Sequence, residues 1–591
     1  MLNKDSKTLF SMIQDLPDDS INKLLLLDAS EAHFSKSFEQ SQSKDDIDNC
    51  VLANRLMLQL TLIGIMAPLN FLDDHGVTLM GGNQVREDLN NSLTDIHYVE
   101  NSAFNTHPQL SLLLDKLGAM LLLRCENSGD VGDVMEAISL QRKGVQLTPE
   151  GHINQPRYLA NLGNSLQLRF SHNRELADIS EAILFQQKGV QLTPEGHLDM
   201  PRYLADLGGS LRHRFLHTAE LKDISDSILS LQRAVKLTPE GHPYKPRYLA
   251  DLGSSLQHRF SHTGELTDIS EAISFQQKSV QLTSEGHVDM PSYLANLGSS
   301  LLHQFSSTGE LTNISKAISF QKKAVQLTPE GHSYRPRYLV HLGKSLLHRF
   351  SHTGELTDIS EAISFQRKAV QLTPEGHPSR HRYLARLGQS LLHQFSHTGE
   401  LTDISEAISL QQKSVQLIPE SHPDRPSYLS KLGSLLLHKF SCTGELSDIS
   451  EAISFQRESV QVIPEGHQSR PLYLAELGIS LQRQFSSTGE LTDISEAISF
   501  HQKAVQLAPE GHPYRPTYLA NLGSSLQKRF SHTGEITDIS EAISFHEKAV
   551  QLTPEGHPYR PTYLDNLGCS LQKRFSHTGE LTDISEAISF H

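Results

Sequence analysis

Cysteine is scarce in this sequence: Cys50, Cys125, Cys442 and Cys569 are the only four in 591 residues. They lie far apart and form no CxxC pair, which excludes a disulfide framework and a cysteine-built zinc site and suits reduced, intracellular thiols. Positive charge is also in short supply. With 52 basic against 68 acidic residues the formal charge is −16, so a bulk nucleic-acid or anionic-membrane binder is excluded and only a local basic stripe remains open. Long apolar runs are missing too. The opening MLNKDSKTLFSMIQDLPDDS has no secretory leader pattern. The most apolar stretch, 50–69, carries Asn54, Arg55 and Gln59, so it reads as a buried helix rather than a membrane span. No window alternates strictly between apolar and polar residues, so nothing suggests a sheet. A soluble, cytoplasmic protein is expected, too long for one core, since single cores stop growing near about 250–300 residues.

Repetition is what the sequence has in quantity. A Tyr-Leu pair starts at Tyr158, Tyr203, Tyr248, Tyr293, Tyr338, Tyr383, Tyr428, Tyr473, Tyr518 and Tyr563, always 45 residues apart. Leu113 opens the same pattern one step earlier. The expected organisation is a tail over 1–19, two degenerate units over 20–105, and eleven units over 106–591, the last incomplete. The degenerate units rest on DIDNCVLANRLMLQLT (46–61), which lies over DISEAILFQQKGVQLT (178–193), and on FLDDHGVTL (71–79), which lies over YLADLGGSL (203–211). The chain ends on SHTGELTDISEAISFH, inside a unit, which reads as a cut with further sequence expected beyond it.

Each unit predicts two helices. Leu159, Leu162, Leu166 and Phe170 recur at three or four residues, as do Ile179, Ala182, Ile183 and Val190, the spacing of one helical face. Asp178 followed by Glu181 has the spacing of a capping box, and Pro194 stops the second helix. Glycine occupies one first-helix position in all eleven units, from Gly118 through Gly163 and Gly343 to Gly568. A mid-helix glycine costs about 1 kcal/mol against alanine, so its presence in every copy implies that no side chain fits there. The second helix has small residues at Ala182 and, seven residues on, at Gly189 and its counterparts.

These residues resemble the tetratricopeptide repeat, a helix–turn–helix unit of about 34 residues: Leu159, Leu162, Gly163, Ala182, Gly189 and Pro194 fall on its signature sites. Gln186 stands where that motif has a large aromatic. The longer wording, LG…RF…TGEL.DI..AI…AV.LTPEGHP, is similar to the long-period arrays of basidiomycete fungi, which often precede a caspase-like CHAT peptidase domain, and to kinesin light chain repeats. The resemblance implies an all-α solenoid, or superhelix, of antiparallel helix pairs, TPR-like, whose concave surface is lined by first helices and takes protein or peptide partners. It implies a non-enzymatic interaction scaffold or adaptor. The alternatives are the sensing array of a larger CHAT-type peptidase whose catalytic domain is not in this chain, and a kinesin-light-chain-like adaptor, for which 1–105 lacks the heptad coil.

Comparison of the units with one another locates a candidate partner face. Residues 158, 159, 162, 163 and 166 hardly change, whereas 157, 161, 164 and 168 drift, and these offsets of four, seven and eleven form one stripe. The candidate residues are Arg157, Asn161, Asn164, Leu168, Arg202, Asp206, Arg247, Asp251, Arg337, His341, Arg382 and Arg386. A solvated face free to drift would give the same pattern. The arginines would suit an acidic segment. The family's clamp for a C-terminal carboxylate needs lysine at position 160, where this chain has Ala, Val, Ser or Asp. No cofactor, metal, nucleic acid, membrane or small-molecule substrate is expected. Histidine pairs four apart, such as His258 and His262, have no fixed third ligand. Gly343-Lys344-Ser345 lacks the earlier glycine of a phosphate loop, and His75-Gly76 has no matching cysteine. No catalytic constellation assembles.

Overall fold

The computed structural model describes residues 21–41, 44–66, 109–128 and 130–590. The expected tail, His75-Gly76 and the FLDDHGVTL segment lie outside the described residues. Twenty-four α-helices and no strand occur among those described, arranged as successive antiparallel pairs. The first pair, Ile21–Ser41 and Lys44–Met66, covers part of the degenerate region. Its second helix takes in the apolar stretch as far as Met66, with Cys50, Val51, Ala53, Leu56, Met57 and Leu58 buried. Among the described residues no helix is long and apolar enough to cross a membrane. The chain divides into two compact bodies, Met1–Gly309 and Glu310–His591, with the division inside the turn of one unit.

The repeat wording has a local cause at each point. A first helix such as Lys245–Thr263 starts on proline, whose missing N–H is no loss there. It ends where Gly264, at φ 76°, adopts the left-handed conformation and donates its N–H to the Phe260 carbonyl. In the second helix the closing threonine turns its hydroxyl back: Thr193 Oγ1 donates to the Gly189 carbonyl at 2.7 Å. In the C-terminal body an arginine opening the next unit caps the same helix end. Arg470 Nη1 donates to the carbonyls of Val460 at 3.1 Å and Ile463 at 2.6 Å, where the dipole favours a cation.

The core is a strip shared between neighbouring units. Leu162, Leu166 and Phe170 of one first helix meet Ile179, Ala182 and Ile183 of its partner and Leu207 and Leu211 of the next unit. The glycine expectation has a direct geometric reason. A Cβ on Gly163 would lie 2.5 Å from Gln186 Cγ and 3.0 Å from the Ala182 carbonyl oxygen. Gln186, at the site of the family's aromatic, is fully buried in that gap. Leu231, Gln276, His501 and His546 take the same place in other units. Burial pushes the pKa of both histidines down to about 4.

The capping-box reading needs correction. The N-cap of the second helix is Glu175, with no side-chain cap, and Asp178 sits within the first turn. Asp178 instead receives Arg169 across the turn, Nε at 2.8 Å and Nη2 at 2.5 Å. The carboxylate is released from capping because this guanidinium, nine residues back, matches it bidentately. Burial pushes the Asp178 pKa up, but Arg169 and Asn173 outweigh it and hold it below the ordinary range. The same clamp joins Arg214 to Asp223, Arg259 to Asp268, Arg349 to Asp358, Arg529 to Asp538 and Arg574 to Asp583. Glu181, the other half of the supposed box, pairs with Arg142 of the preceding unit at 2.5 Å.

Gln394 replaces the clamp arginine in one unit, leaving Asp403 buried with Oδ2 unpartnered. Burial, then Glu400 and Glu406, push its pKa up. A raised carboxylate pKa removes stability as pH rises through the folded value. Gln394→Arg should therefore raise stability at pH 7 by about 1 kcal/mol. The gain over wild type should vanish at acid pH, where Asp403 is protonated in both chains. Paired thermal melts across pH check this, and a pH-independent difference would count against the clamp. Gly343→Leu, whose Cβ would stand 2.8 Å from Gln366 Cγ and 3.1 Å from the Ala362 carbonyl oxygen, should cost about 1–3 kcal/mol by overpacking. Gly376→Ala, with open space around its Cβ, should leave the melting curve in place.

Candidate partner-binding face

The drifting stripe lies on the first helices, mostly half-buried between neighbouring units in the N-terminal body and more exposed in the C-terminal one. In the N-terminal body it closes on itself. Arg157 Nε stands 3.4 Å from Asp115 Oδ2. Asn161 Nδ2 donates to Asp115 Oδ1 at 2.9 Å, and its own Oδ1 accepts from Arg202 Nη2 at 2.7 Å. Asn164 Nδ2 donates to Asp206 Oδ2 at 3.1 Å and its Oδ1 accepts from Gln186 Nε2 at 2.8 Å. Arg202 approaches Asp206 at 3.8 Å, and Arg247 approaches Asp251 at 3.9 Å. Arg212 adds a second cation on Asp251, 3.3 Å away. Leu168 packs against the apolar core strip.

Sequence reasoning missed Asp115, Arg212 and Gln186 as members of this band. The signal for Asp115 was available: it stands where most other units have alanine. Burial pushes its pKa up to about 6, with Asn161, Arg157 and Arg202 opposing. Burial likewise raises Asp206, opposed by Arg202, Asn164 and Arg247.

The C-terminal body has a different balance. Arg337, Arg382 and Arg386 are exposed, His341 and Lys344 are half-buried, and Lys431 follows at the position of Arg386 one unit on. Arg382 reaches only Asp424, at 3.9 Å. Arg386 Nη1 donates to the neutral Gln389 Oε1 at 3.2 Å. Among the described residues Arg337, Lys344, Arg386 and Lys431 enter no ion pair. Burial and then Arg337, Lys344 and Arg386 push the His341 pKa down to about 3, so it stays neutral beneath the cations. Burial and then Arg386 lower Lys344 and Lys431.

The four-spaced histidines serve packing between units. His213 shares a 2.9 Å hydrogen bond with Gln167 Nε2. His217, His262, His397, His532 and His577 stand edge-on to Phe170, Phe215, Phe350, Phe485 and Phe530 of the preceding units. In the EGH turns the histidine Nδ1 accepts a backbone N–H two residues on, as from Asn154 to His152. Among the described residues no group of three or more His, Cys, Asp or Glu could hold a metal ion.

No family model and no curated protein matches the chain. Solved structures that match include human IFIT1, a dimer with PPP-AAAA, at 12% identity over 86% of this chain and 94% of that one, TM-score 0.41. Another is a Podosopora anserina putative kinesin light chain with nearly identical TPR-like repeats, at 17% over 38% of this chain and 98% of that one, TM-score 0.28. Yeast Tom70 matches at 13% over 82% of this chain and 99% of that one, TM-score 0.30. The chain's own helix pairs define it as an all-α, TPR-like repeat protein.

The Asp115 pKa gives this face a pH dependence of known sign. Because the folded value lies above the ordinary one, stability falls as pH rises from about 4 to about 6. Asp115→Asn should flatten that segment of a melting-temperature profile. An unchanged slope would place the dependence elsewhere.

Proposed function

We propose that the chain is a protein-interaction scaffold, with first-helix side chains of successive units presented to an extended peptide or a partner helix. One observation carries this reading. On the first helices positions 157, 161, 164 and 168 and their counterparts drift and form one stripe, while the packing residues 158, 159, 162, 163 and 166 hardly change. Repeat arrays place their binding surfaces on such rows. A row of exposed guanidinium, ammonium and amide groups holds a chain by ion pairs and hydrogen bonds, which requires no reacting group. Widely spaced, unpaired thiols support a cytoplasmic setting for the same reading.

The test is affinity capture with the whole chain, followed by two double variants. Gln389→Trp with Leu472→Trp fills exposed stripe positions, whereas Gln187→Trp with Gln277→Trp fills exposed second-helix positions. Recovery of captured partners should fall at least about fivefold for the first variant and stay level for the second. The reverse pattern would move the binding surface to the second helices and overturn the reading.

A further inference from the structure

The two bodies carry equal numbers of stripe arginines in the candidate set but handle their charge in opposite ways. In the N-terminal body Asp115, Asp206 and Asp251 answer Arg157, Arg202 and Arg247 within the protein. Arg157 and Arg202 are half-buried and committed, and Arg247, though exposed, shares Asp251 with Arg212, so this stripe carries its own counter-charge. From Arg337 to Lys431 the stripe positions of three consecutive units hold five cations and no carboxylate. This is not a general feature of the C-terminal body. On its second helices Lys322 meets Glu361 at 2.9 Å, Arg367 meets Glu406 at 2.5 Å, and Arg457 meets Glu496 at 2.6 Å. Counter-charge is therefore plentiful where units are tied together and sparse along this strip, where Asp424 stands 3.9 Å from Arg382 and acts with Glu476 on Lys431. Arg386 sits at its centre and weakens proton binding on Lys344 in one neighbouring unit and Lys431 in the other. Like charges held this close repel, which raises the free energy of the unoccupied strip.

We propose that Arg337, Lys344, Arg382, Arg386 and Lys431 form a docking strip for an extended acidic segment of a protein partner, one that offers a carboxylate at about every third residue. The proposal rests on the scaffold reading above and names its partner class. Neighbouring helices stand about 8–10 Å apart and an extended chain advances about 3.3 Å per residue. One carboxylate per unit thus requires a three-residue spacing. Arginine forks suit carboxylates in bidentate geometry. The far end of the strip is marked by Glu476, which lies at the stripe position after Lys431 and accepts from Ser430; an acidic segment would stop short of it. A single-stranded nucleic acid would need open aromatic platforms for its bases. The tyrosines of these three helices do not offer them, since Tyr338 and Tyr428 are buried and Tyr383 is half-buried.

The experiment titrates the whole chain against a fluorescein-labelled twelve-residue peptide with glutamate at every third position and glycine or serine between. A single-stranded RNA of twelve nucleotides serves as the competing probe. Anisotropy should show saturable peptide binding that weakens between 50 and 300 mM salt. K344E/R386E should weaken it at least tenfold, while K188E, an exposed second-helix reversal, should change it less than twofold. If K344E/R386E shifts the circular dichroism melt, K344Q/R386Q replaces it, with a smaller loss expected in the same direction. Absence of peptide binding, indifference to both strip variants, or RNA displacing the peptide would overturn the acidic-peptide assignment. If that happens while capture remains sensitive to Gln389→Trp with Leu472→Trp, the scaffold survives without this partner. If that sensitivity is missing too, the scaffold reading fails as well.

Discussion

Each of the eleven regular units depends on the close approach of its two helices at one glycine. Without a Cβ on Gly163, the Ala182 carbonyl and the Gln186 side chain can occupy the space beside the first helix. Burying an amide there is unfavourable unless it is hydrogen-bonded, and the partners differ from unit to unit. Gln186 donates to Asn164, and Gln411 donates to the Tyr428 carbonyl at 2.9 Å. Leu231, His501 and His546 fill the same gap with different chemistry. What persists is the shape of the gap, because steric exclusion by a backbone carbonyl allows no substitute on the glycine side. The small residue seven positions after Ala182 acts in the same way. Ser279, at that position, donates to the Pro246 carbonyl at 2.7 Å.

Features that are backbone constraints were legible in the sequence. The period, the helix pairs, the invariant glycine and the proline after the second helix, which only Ser284 replaces among the complete regular units, are steric demands, so the copies repeat them and internal comparison exposes them. The Arg–Asp clamp was harder to see. Its partners stand nine residues apart across a turn, a spacing that belongs to no single helix, and the aspartate alone imitates a cap. A signal did exist. In the unit where Gln304 replaces the arginine, Asn313 replaces the aspartate, as expected if a buried carboxylate is tolerated only opposite a cation. Gln394 and Gln484 break that rule, and burial raises the pKa of both Asp403 and Asp493.

The candidate face was legible as a pattern of variation, but its charge was not. Arg157, Arg202 and Arg247 look like Arg337 and Arg382 in the sequence, since all occupy one position of the repeat. They differ because of residues off that position. Asp115 comes from a site where most other units hold alanine, and Arg212 reaches Asp251 from one residue before the stripe. Counting cations along a stripe therefore overestimates what a ligand meets.

Counter-charge, rather than charge, separates structural ion pairs from available ones in a chain built by duplication. Duplication copies a cation and its environment together, so each copy begins with the same balance. A carboxylate gained beside the cation converts that copy into a strut between units, and a carboxylate absent from all three consecutive copies leaves a surface. Holding Lys344, Arg386 and Lys431 together costs folding free energy through repulsion and partial burial, which Asp424 and Glu476 offset only at the Lys431 end. Nothing in the packing of the units requires it, because the first helices of the N-terminal body stack with the same hydrophobic face and a neutralised stripe. A burden that the fold does not need is best explained by something outside the fold, and an anionic partner is what would relieve it.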